Sequence, residues 1–249
     1  MSKLSGKIAV ITGGNSGIGL ATAKLFAEEG ANVVIMGRRK PELDAAVAQI
    51  GAKAVGVQGD VAKLADLDRL YAQVKQRFGH IDILFANAGL VRIAPLDGVT
   101  EEHFDLQFDV NVKGLLFTVQ KALPLLADGG AIVLNSSVAN TRGMPGFGVY
   151  SATKAAVRSF ARTWTAELKD RKIRVNAVSP GPIETPIFDK AGLPEKQIEE
   201  FGAHVSAQVP LGRFGRAEEV AKAVLFLASG DSSYVAGVDL YVDGGMTAV

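Results

Sequence analysis

A chain of 249 residues is long enough for one large α/β domain, and no Pro/Ser-rich linker or compositional shift divides it, so residues 1–249 are read as a single domain. Lysine plus arginine (27) nearly balance aspartate plus glutamate (26), which removes any global electrostatic reason to expect nucleic acid or an anionic membrane as partner. The lack of cysteine excludes disulfides, a thiol nucleophile and thiolate metal sites, and His80, His103 and His204 lie too far apart for ligand spacing, so no metal is expected.

Met1 to Lys7 leads into a strand pattern instead of an apolar signal core, and no uninterrupted apolar run approaches the ~18 residues of a membrane span. The expectation is a soluble cytoplasmic protein. Lys7 to Ile11 reads as a strand, Thr12-Gly-Gly-Asn-Ser-Gly-Ile-Gly19 as a glycine loop, and Leu20 to Glu29 as a helix. Gly13, Gly17 and Gly19 let the backbone bend sharply and approach a pyrophosphate, while Asn15, Ser16 and Ile18 border it and the helix amino terminus offers N–H groups and positive dipole. A plain β-to-α turn rarely needs this many glycines.

Ala31 to Met36 is the second expected strand, Pro41 to Ile50 a helix opened by proline, and Lys53 to Val57 the third strand. Alternation of this kind predicts a Rossmann-type, doubly wound parallel sheet with helices on both faces. After the second strand comes Gly37-Arg38-Arg39, where an NAD-binding chain usually places an acid for the ribose 2′-hydroxyl. Here that acid is missing: Gly37 leaves space, Arg38 and Arg39 bring guanidinium forks suited to a 2′-phosphate, and Asn15 adds a neutral donor, which predicts NADP(H). A merely solvated basic turn continued by Lys40 is the alternative. Asp60 and Val61 stand at the carboxyl end of the third strand, where Asp60 either hydrogen-bonds adenine or caps the helix beginning near Leu64.

Ile81 to Phe85 is a fourth strand, ending in Ala86-Asn87-Ala88-Gly89, whose small residues leave room for a dinucleotide. Asp97 to Ala127 holds two helical segments with Asn111 between them; a polar amide in an apolar helix is either a structural bracket or part of a site. Ala131 to Asn135 is the fifth strand, with Ser136 and Ser137 at its end, and a glycine-rich loop containing Pro145 leads to a helix from Tyr150 to about Asp170. Ile173 to Val178 is the sixth strand, followed by Ser179-Pro180-Gly181-Pro182-Ile183-Glu184-Thr185, a turn with free backbone groups. Residues 186–210 read as a substrate lid, with a helix from Pro194 to Gln208, before a last helix (Ala217 to Ser229) and a last strand (Val238 to Val242).

Tyr150 and Lys154, four apart, share one helix face. For a phenol of pKa ~10 to act near neutrality, depression by about three units is needed, roughly 4 kcal/mol. An ammonium about 4 Å away at an effective dielectric of about 20 supplies about that much. Taken alone, such a pair is more often an ordinary core-and-rim couple.

Thr12-Gly-x-x-x-Gly-x-Gly19, Asn87-Ala-Gly89, Asn111, Ser137, Tyr150-x-x-x-Lys154 and Pro180-Gly181 together resemble the short-chain dehydrogenase/reductase family across essentially the whole chain. Gly-Gly-Asn-Ser-Gly-Ile-Gly and Gly-Arg-Arg are similar to the NADPH-dependent bacterial alcohol dehydrogenases that reduce bulky ketones. One departure is Ala86, where many members carry a second asparagine. The resemblance implies Tyr150 as acid/base, Lys154 lowering its pKa and holding the nicotinamide ribose, Ser137 binding the substrate oxygen, and Asn111 anchoring a water in a proton relay. It further implies that Pro180, Gly181, Ile183 and Thr185 border the nicotinamide, with Ile183 and Thr185 holding its carboxamide. The expected activity is reversible, NADP(H)-dependent hydride transfer between a small-molecule carbonyl and alcohol, as in an alcohol dehydrogenase or carbonyl reductase. An inactive nucleotide sensor and a dehydratase or epimerase on the same fold are the competing classes.

Ile93, Ala94, Met144, Phe147 and Phe188 fall in segments expected to border an apolar substrate pocket. Ala155, Ala156, Phe160, Ala161 and Trp164 spread over more than one stripe of the Tyr150 helix. Two buried faces, and by resemblance a homotetramer, are expected.

Overall fold

Seven parallel strands form the sheet of the computed structural model, whose described residues are 2–185 and 206–249. They are β1 (Ile8–Thr12), β2 (Asn32–Gly37), β3 (Ala54–Gln58), β4 (Ile81–Ala86), β5 (Leu126–Asn135), β6 (Arg174–Pro180) and β9 (Asp239–Val242), while β7 (Ile183–Glu184) pairs with β8 (Gly215–Arg216) in a separate small ladder. The α-helices are α1 (Gly17–Glu28), α2 (Lys40–Ile50), α3 (Leu64–Phe78), α4 (Glu101–Phe108), α5 (Leu115–Ala122), α6 (Gly148–Glu167) and α7 (Ala217–Ala228).

Every residue of β1 is buried, as a strand covered on both faces requires. Across the sheet the order is β3-β2-β1-β4-β5-β6-β9. The chain steps outward from β1 to β3 and then returns to place β4 on the other side of β1, with Ile11 beside Phe85. That reversal opens a crevice at the carboxyl ends of β1 and β4, where doubly wound sheets bind ligands.

One sheet face is covered by α3, α5 and α6, whose Leu70, Val119 and Val157 share a core with Leu84 and Ile132. On the opposite face α1, α2 and α7 bring Phe26, Leu43 and Val224 against Ile35 and Val133. In α3 the buried side chains are Leu67, Leu70, Tyr71 and Val74, the spacing of one helix face, and Gly79 ends the helix with a left-handed φ of 79°. Truncating a fully buried aromatic such as Phe26 to alanine would cost about 3–5 kcal/mol.

Three boundaries differ from the sequence reading. β5 starts at Leu126, not Ala131, because Leu126 already pairs with Ile81 before the register shifts, and the turn through Gly129 (φ 77°) absorbs the excess residues. Helix α6 stops at Glu167, since Lys169–Arg171 form a single tighter turn and Lys172 adopts φ 54°. Between α4 and α5 the helix widens to a π-turn over Asp109–Gly114, which carries Asn111. The expected lid at 186–210 and its helix lie outside the described residues except at their carboxyl end. Among the described residues no helix is long and apolar enough to cross a membrane.

Candidate active site

The loop from β1 into α1 is built for close backbone approach. Gly13 has φ 66°, and a Cβ there would stand 3.0 Å from the Ala88 Cα; at Gly19 a Cβ would fall 2.2 Å from the Gly13 carbonyl oxygen. Ser16 precedes α1 without a side-chain capping bond, and no acid occupies the first turn. The positive end of α1 is thus uncompensated by side chains where Ser16, Gly17 and Ile18 line a cavity.

Asn87 fastens three strand ends together. Its Nδ2 donates to the carbonyls of Thr12 (3.0 Å) and Gly13 (3.3 Å), and its Oδ1 accepts from Asn135 Nδ2 at 2.9 Å. Thr12 Oγ1 in turn accepts from the backbone N–H groups of Asn87 and Ala88, each at 3.1 Å. Asn111 is a bracket as well: it exchanges two 2.9 Å bonds with the backbone of Leu90 and donates to Thr153 Oγ1 at 3.2 Å. It lines neither cavity described below, although its Oδ1 lies beside Gly89, 3.2 Å from where a Cβ would be.

Tyr150 sits on the first turn of α6, with Lys154 one turn later. The Lys154 ammonium is buried, donates to the Asn135 carbonyl at 2.8 Å, and lies 5.5 Å from the centre of the Tyr150 ring. The Ser137 hydroxyl neighbours the phenol, whose ionised form it favours, and accepts from Ala139 N at 3.2 Å. Burial pushes the Tyr150 phenol up to about 12, against the pull of the Ser137 hydroxyl, and pushes the Lys154 ammonium down to about 8. The expected depression of Tyr150 by Lys154 is therefore corrected. The desolvation cost of a phenolate outweighs the Ser137 interaction, and Lys154, held on the Asn135 carbonyl, makes no hydrogen bond to the phenol.

Two cavities of about 430 and 410 Å³ meet at this point and share Ile18, Val91, Asn135, Tyr150 and Thr185 as walls. The first gathers Gly13, Asn15, Ser16, Gly17, Arg38, Arg39, Asp60, Val61, Asn87, Ala88, Gly89 and Lys154. Around the second lie Ser137, Pro180, Gly181 and Ile183, with Val138, Met144, Phe147 and Met246. Gly19 packs behind the loop instead of lining a cavity. Of the apolar pocket candidates Met144 and Phe147 are walls, Ile93 and Ala94 are not, and Phe188 lies outside the described residues.

At the far end of the first cavity, Arg38 Nη1 stands 3.7 Å from Asp60 Oδ2, and Arg39 pairs with Glu42 on α2. Two expectations change here. Gly37 does not leave open space: a Cβ there would stand 2.7 Å from Asn15 Oδ1, so the glycine makes room for Asn15. Asp60 does not cap α3, which Lys63 precedes; its Oδ1 accepts from Ala62 N at 3.0 Å in a local turn.

Asn135 is a functional position that the sequence reading passed over. It holds Lys154 through its carbonyl and Asn87 through its amide, and its Oδ1 is buried on the shared wall with no partner. The signal available was a polar residue ending an apolar strand just before Ser136-Ser137. Thr12 carried the same signal at the end of β1.

These features fit a dinucleotide: the glycine cradle that any Cβ would fill, an uncompensated helix amino terminus, a basic far end and an unpartnered acceptor at the near end. Comparison with known proteins agrees. The family model described as enoyl-(acyl carrier protein) reductase matches residues 13–247. Oxidoreductase asL5 of Sarocladium schorii is 48% identical over 100% of this chain and 99% of its own length. The 3-oxoacyl-[acyl-carrier-protein] reductase FabG of Thermotoga maritima is 43% identical over 98% of this chain and 99% of its own. Among solved structures, a short-chain type dehydrogenase/reductase from Mycobacterium marinum superposes with TM-score 0.92 at 34% identity, covering 99% of this chain and 98% of the other. A 3-ketoacyl-(acyl-carrier-protein) reductase from Brucella melitensis, complexed with NADH, gives 0.91 at 34% identity, covering 98% and 99%. With these matches spanning sheet, glycine loop and the Tyr150–Lys154 helix alike, the chain belongs to the short-chain dehydrogenase/reductase family of oxidoreductases.

Proposed function

We propose that the chain is an NADP(H)-dependent carbonyl reductase, reversibly converting a ketone or aldehyde to an alcohol in the manner of an alcohol dehydrogenase. The observation that carries this reading is the shared wall: Tyr150 faces both cavities, with the Ser137 hydroxyl beside its phenol. A bound nicotinamide supplies the hydride. The chain supplies two preplaced donors, Ser137 and Tyr150, where negative charge grows on the carbonyl oxygen. Tyr150 also releases the proton, and a phenol that keeps it through the neutral range suits the direction of reduction.

Lys154 holds the ribose and, while protonated, favours the phenolate that Tyr150 leaves behind. Asn111 stands in this proposal as the anchor of a water in the proton relay, the role that the family resemblance implies. Pro180, Gly181, Ile183 and Thr185 hold the carboxamide end, and Asp60 with Val61 borders adenine. Arg38 and Arg39, with no acid ending β2, favour the 2′-phosphate of NADP(H) over the NADH named for the Brucella neighbour. The Thermotoga relative's name, an oxoacyl reductase, agrees with a ketone substrate.

The exposed Ala152, Ala155 and Ser159 leave one side of α6 uncovered while Val157 and Ala161 are buried, which supports a homotetramer. Light scattering giving a monomer mass would remove that part of the proposal. An enzyme drawing on an NADPH pool would work in the cytoplasm. The central test is NADPH oxidation, followed by its absorbance, with a panel of ketones and aldehydes. Consumption identifies a reductase, turnover without consumption a dehydratase or epimerase, and binding without turnover an inactive sensor.

A further inference from the structure

Among the described residues lining the second cavity, Arg142 is the one with a permanent charge. Its neighbours there include Val138, Met144, Pro145 and Met246, so the guanidinium borders a largely apolar space. Arg142 belongs to the turn that begins at Ser137, and its N–H donates to the Val138 carbonyl at 2.9 Å. The side chain is aimed from both sides: Nη1 donates to the Met246 carbonyl at 3.0 Å and Nη2 to Gln208 Oε1 at 3.2 Å. No carboxylate pairs with it among the described residues.

A guanidinium has five N–H donors, and two neutral acceptors leave about three of them unused. Arg142 is only partly buried, so water reaches those donors until an anion entering the cavity replaces it. We infer that the substrate of this reductase is an oxo acid, whose carboxylate docks on Arg142 while its ketone lies against Ser137 and Tyr150. This deepens the reductase reading and rests on it. A planar carboxylate takes two parallel N–H bonds from the guanidinium fork, and the Met246 and Gln208 acceptors hold that fork in one orientation. Because Arg142 and Ser137 ride on one turn, the distance between the two docking points is fixed. The enzyme should accordingly select the chain length between ketone and carboxylate.

The test measures kcat/KM with NADPH for straight-chain oxo acids in which the ketone moves stepwise away from the carboxylate, each beside its methyl ester. Wild type, Arg142→Met and Arg142→Lys are compared. At the best spacing the wild type should prefer acid over ester by about tenfold to a hundredfold. Arg142→Met should erase that preference, and Arg142→Lys, a point charge without the fork, should restore part of it. If the methionine variant does not fold, the lysine variant and the wild-type series still decide.

A wild type that reduces esters as well as acids overturns the inference. So does a methionine variant in which acid and ester fall together with their ratio unchanged, the result for an arginine that only pins the Met246 turn. If no ketone of either kind is reduced although NADPH binds, the reductase reading itself fails and takes this inference with it.

Discussion

The Lys154 ammonium lies 5.5 Å from the centre of the Tyr150 ring and gives its hydrogen bond to the Asn135 carbonyl, not to the phenol oxygen. Positive charge at that distance favours a phenolate electrostatically without removing the proton beforehand. Ser137 is the side chain that favours the ionised phenol directly. The proposed division of labour follows: Ser137 and Tyr150 handle the reacting oxygen, while Lys154 acts from one turn further along the helix.

Replacing Tyr150 by phenylalanine removes the transferable proton and the hydroxyl beside Ser137 but leaves the glycine loop and Lys154 in place. The expected outcome is a fall in kcat of about 10² to 10⁴-fold, with NADPH affinity changed by less than ~3-fold. Fluorescence titration and steady-state rates measure the two separately. A Tyr150→Phe enzyme retaining most of its kcat would sink the proposed mechanism.

Lys154 carries a cost in stability. Burial lowers it from 10.5 to about 8, and a shift of that size corresponds to roughly 3 kcal/mol of penalty against the folded state. Lys154→Met removes the penalty and also takes this donor from the Asn135 carbonyl, which returns about 1–2 kcal/mol of it. The variant should be inactive yet more stable by about 1–2 kcal/mol at neutral pH. The sign fixes the pH window. Below about 8 the lysine is charged in both states and the penalty is complete; between about 8 and 10.5 the unfolded chain holds the extra proton, so the penalty shrinks as pH rises. Urea unfolding at neutral pH and near 10 should show the variant's advantage narrowing, and a variant less stable at neutral pH would contradict this account.

Much of this site was legible in the sequence because its parts stand at strand ends that period and glycine spacing already mark. Gly13, Asn87, Ser137 and Tyr150 each follow a recognisable strand or loop. What the sequence left hidden were relations across the sheet. Thr12 read as the first residue of the glycine loop, yet it ends β1 and its hydroxyl supports the backbone of Asn87 and Ala88, some 75 residues away. Gly37 resembled open space because the Asn15 side chain that fills it comes from another loop. The direction of the Tyr150 shift depended on burial, which helix spacing alone does not report.

Thr12 offers a direct test of that hidden layer. Thr12→Val keeps the shape and leaves two N–H groups without their acceptor, each costing about 1–3 kcal/mol, while Thr12→Ser keeps the oxygen. Chemical denaturation should show the valine variant destabilised by about 2–6 kcal/mol and the serine variant by less than about half of that. Equal stability of the two variants would mean that the hydroxyl bonds contribute nothing at this strand end.

Coenzyme choice rests on the carboxyl end of β2. Arg38 and Arg39 are each about half exposed, with side-chain exposures of 58% and 42%, and both have carboxylate partners, Asp60 and Glu42. A bound 2′-phosphate would have to share the guanidinium groups with those acids in a solvated setting, so each contact falls at the weak end of about 1.5 to 3 kcal/mol. NADPH should then be preferred over NADH by about 10- to 10²-fold in kcat/KM. Reversal needs an acid at Gly37, but Gly37→Asp alone drives a Cβ within 2.7 Å of Asn15 Oδ1 and should weaken both coenzymes by disturbing the loop. Pairing Gly37→Asp with Asn15→Gly and with neutral residues at Arg38 and Arg39 clears that contact. The new carboxylate then accepts from the ribose 2′-hydroxyl and repels the phosphate, so the combined variant should favour NADH. Kinetics with both coenzymes across the three proteins decide the matter. A wild type that uses NADH as well as NADPH would make the two arginines surface charge and overturn the assignment.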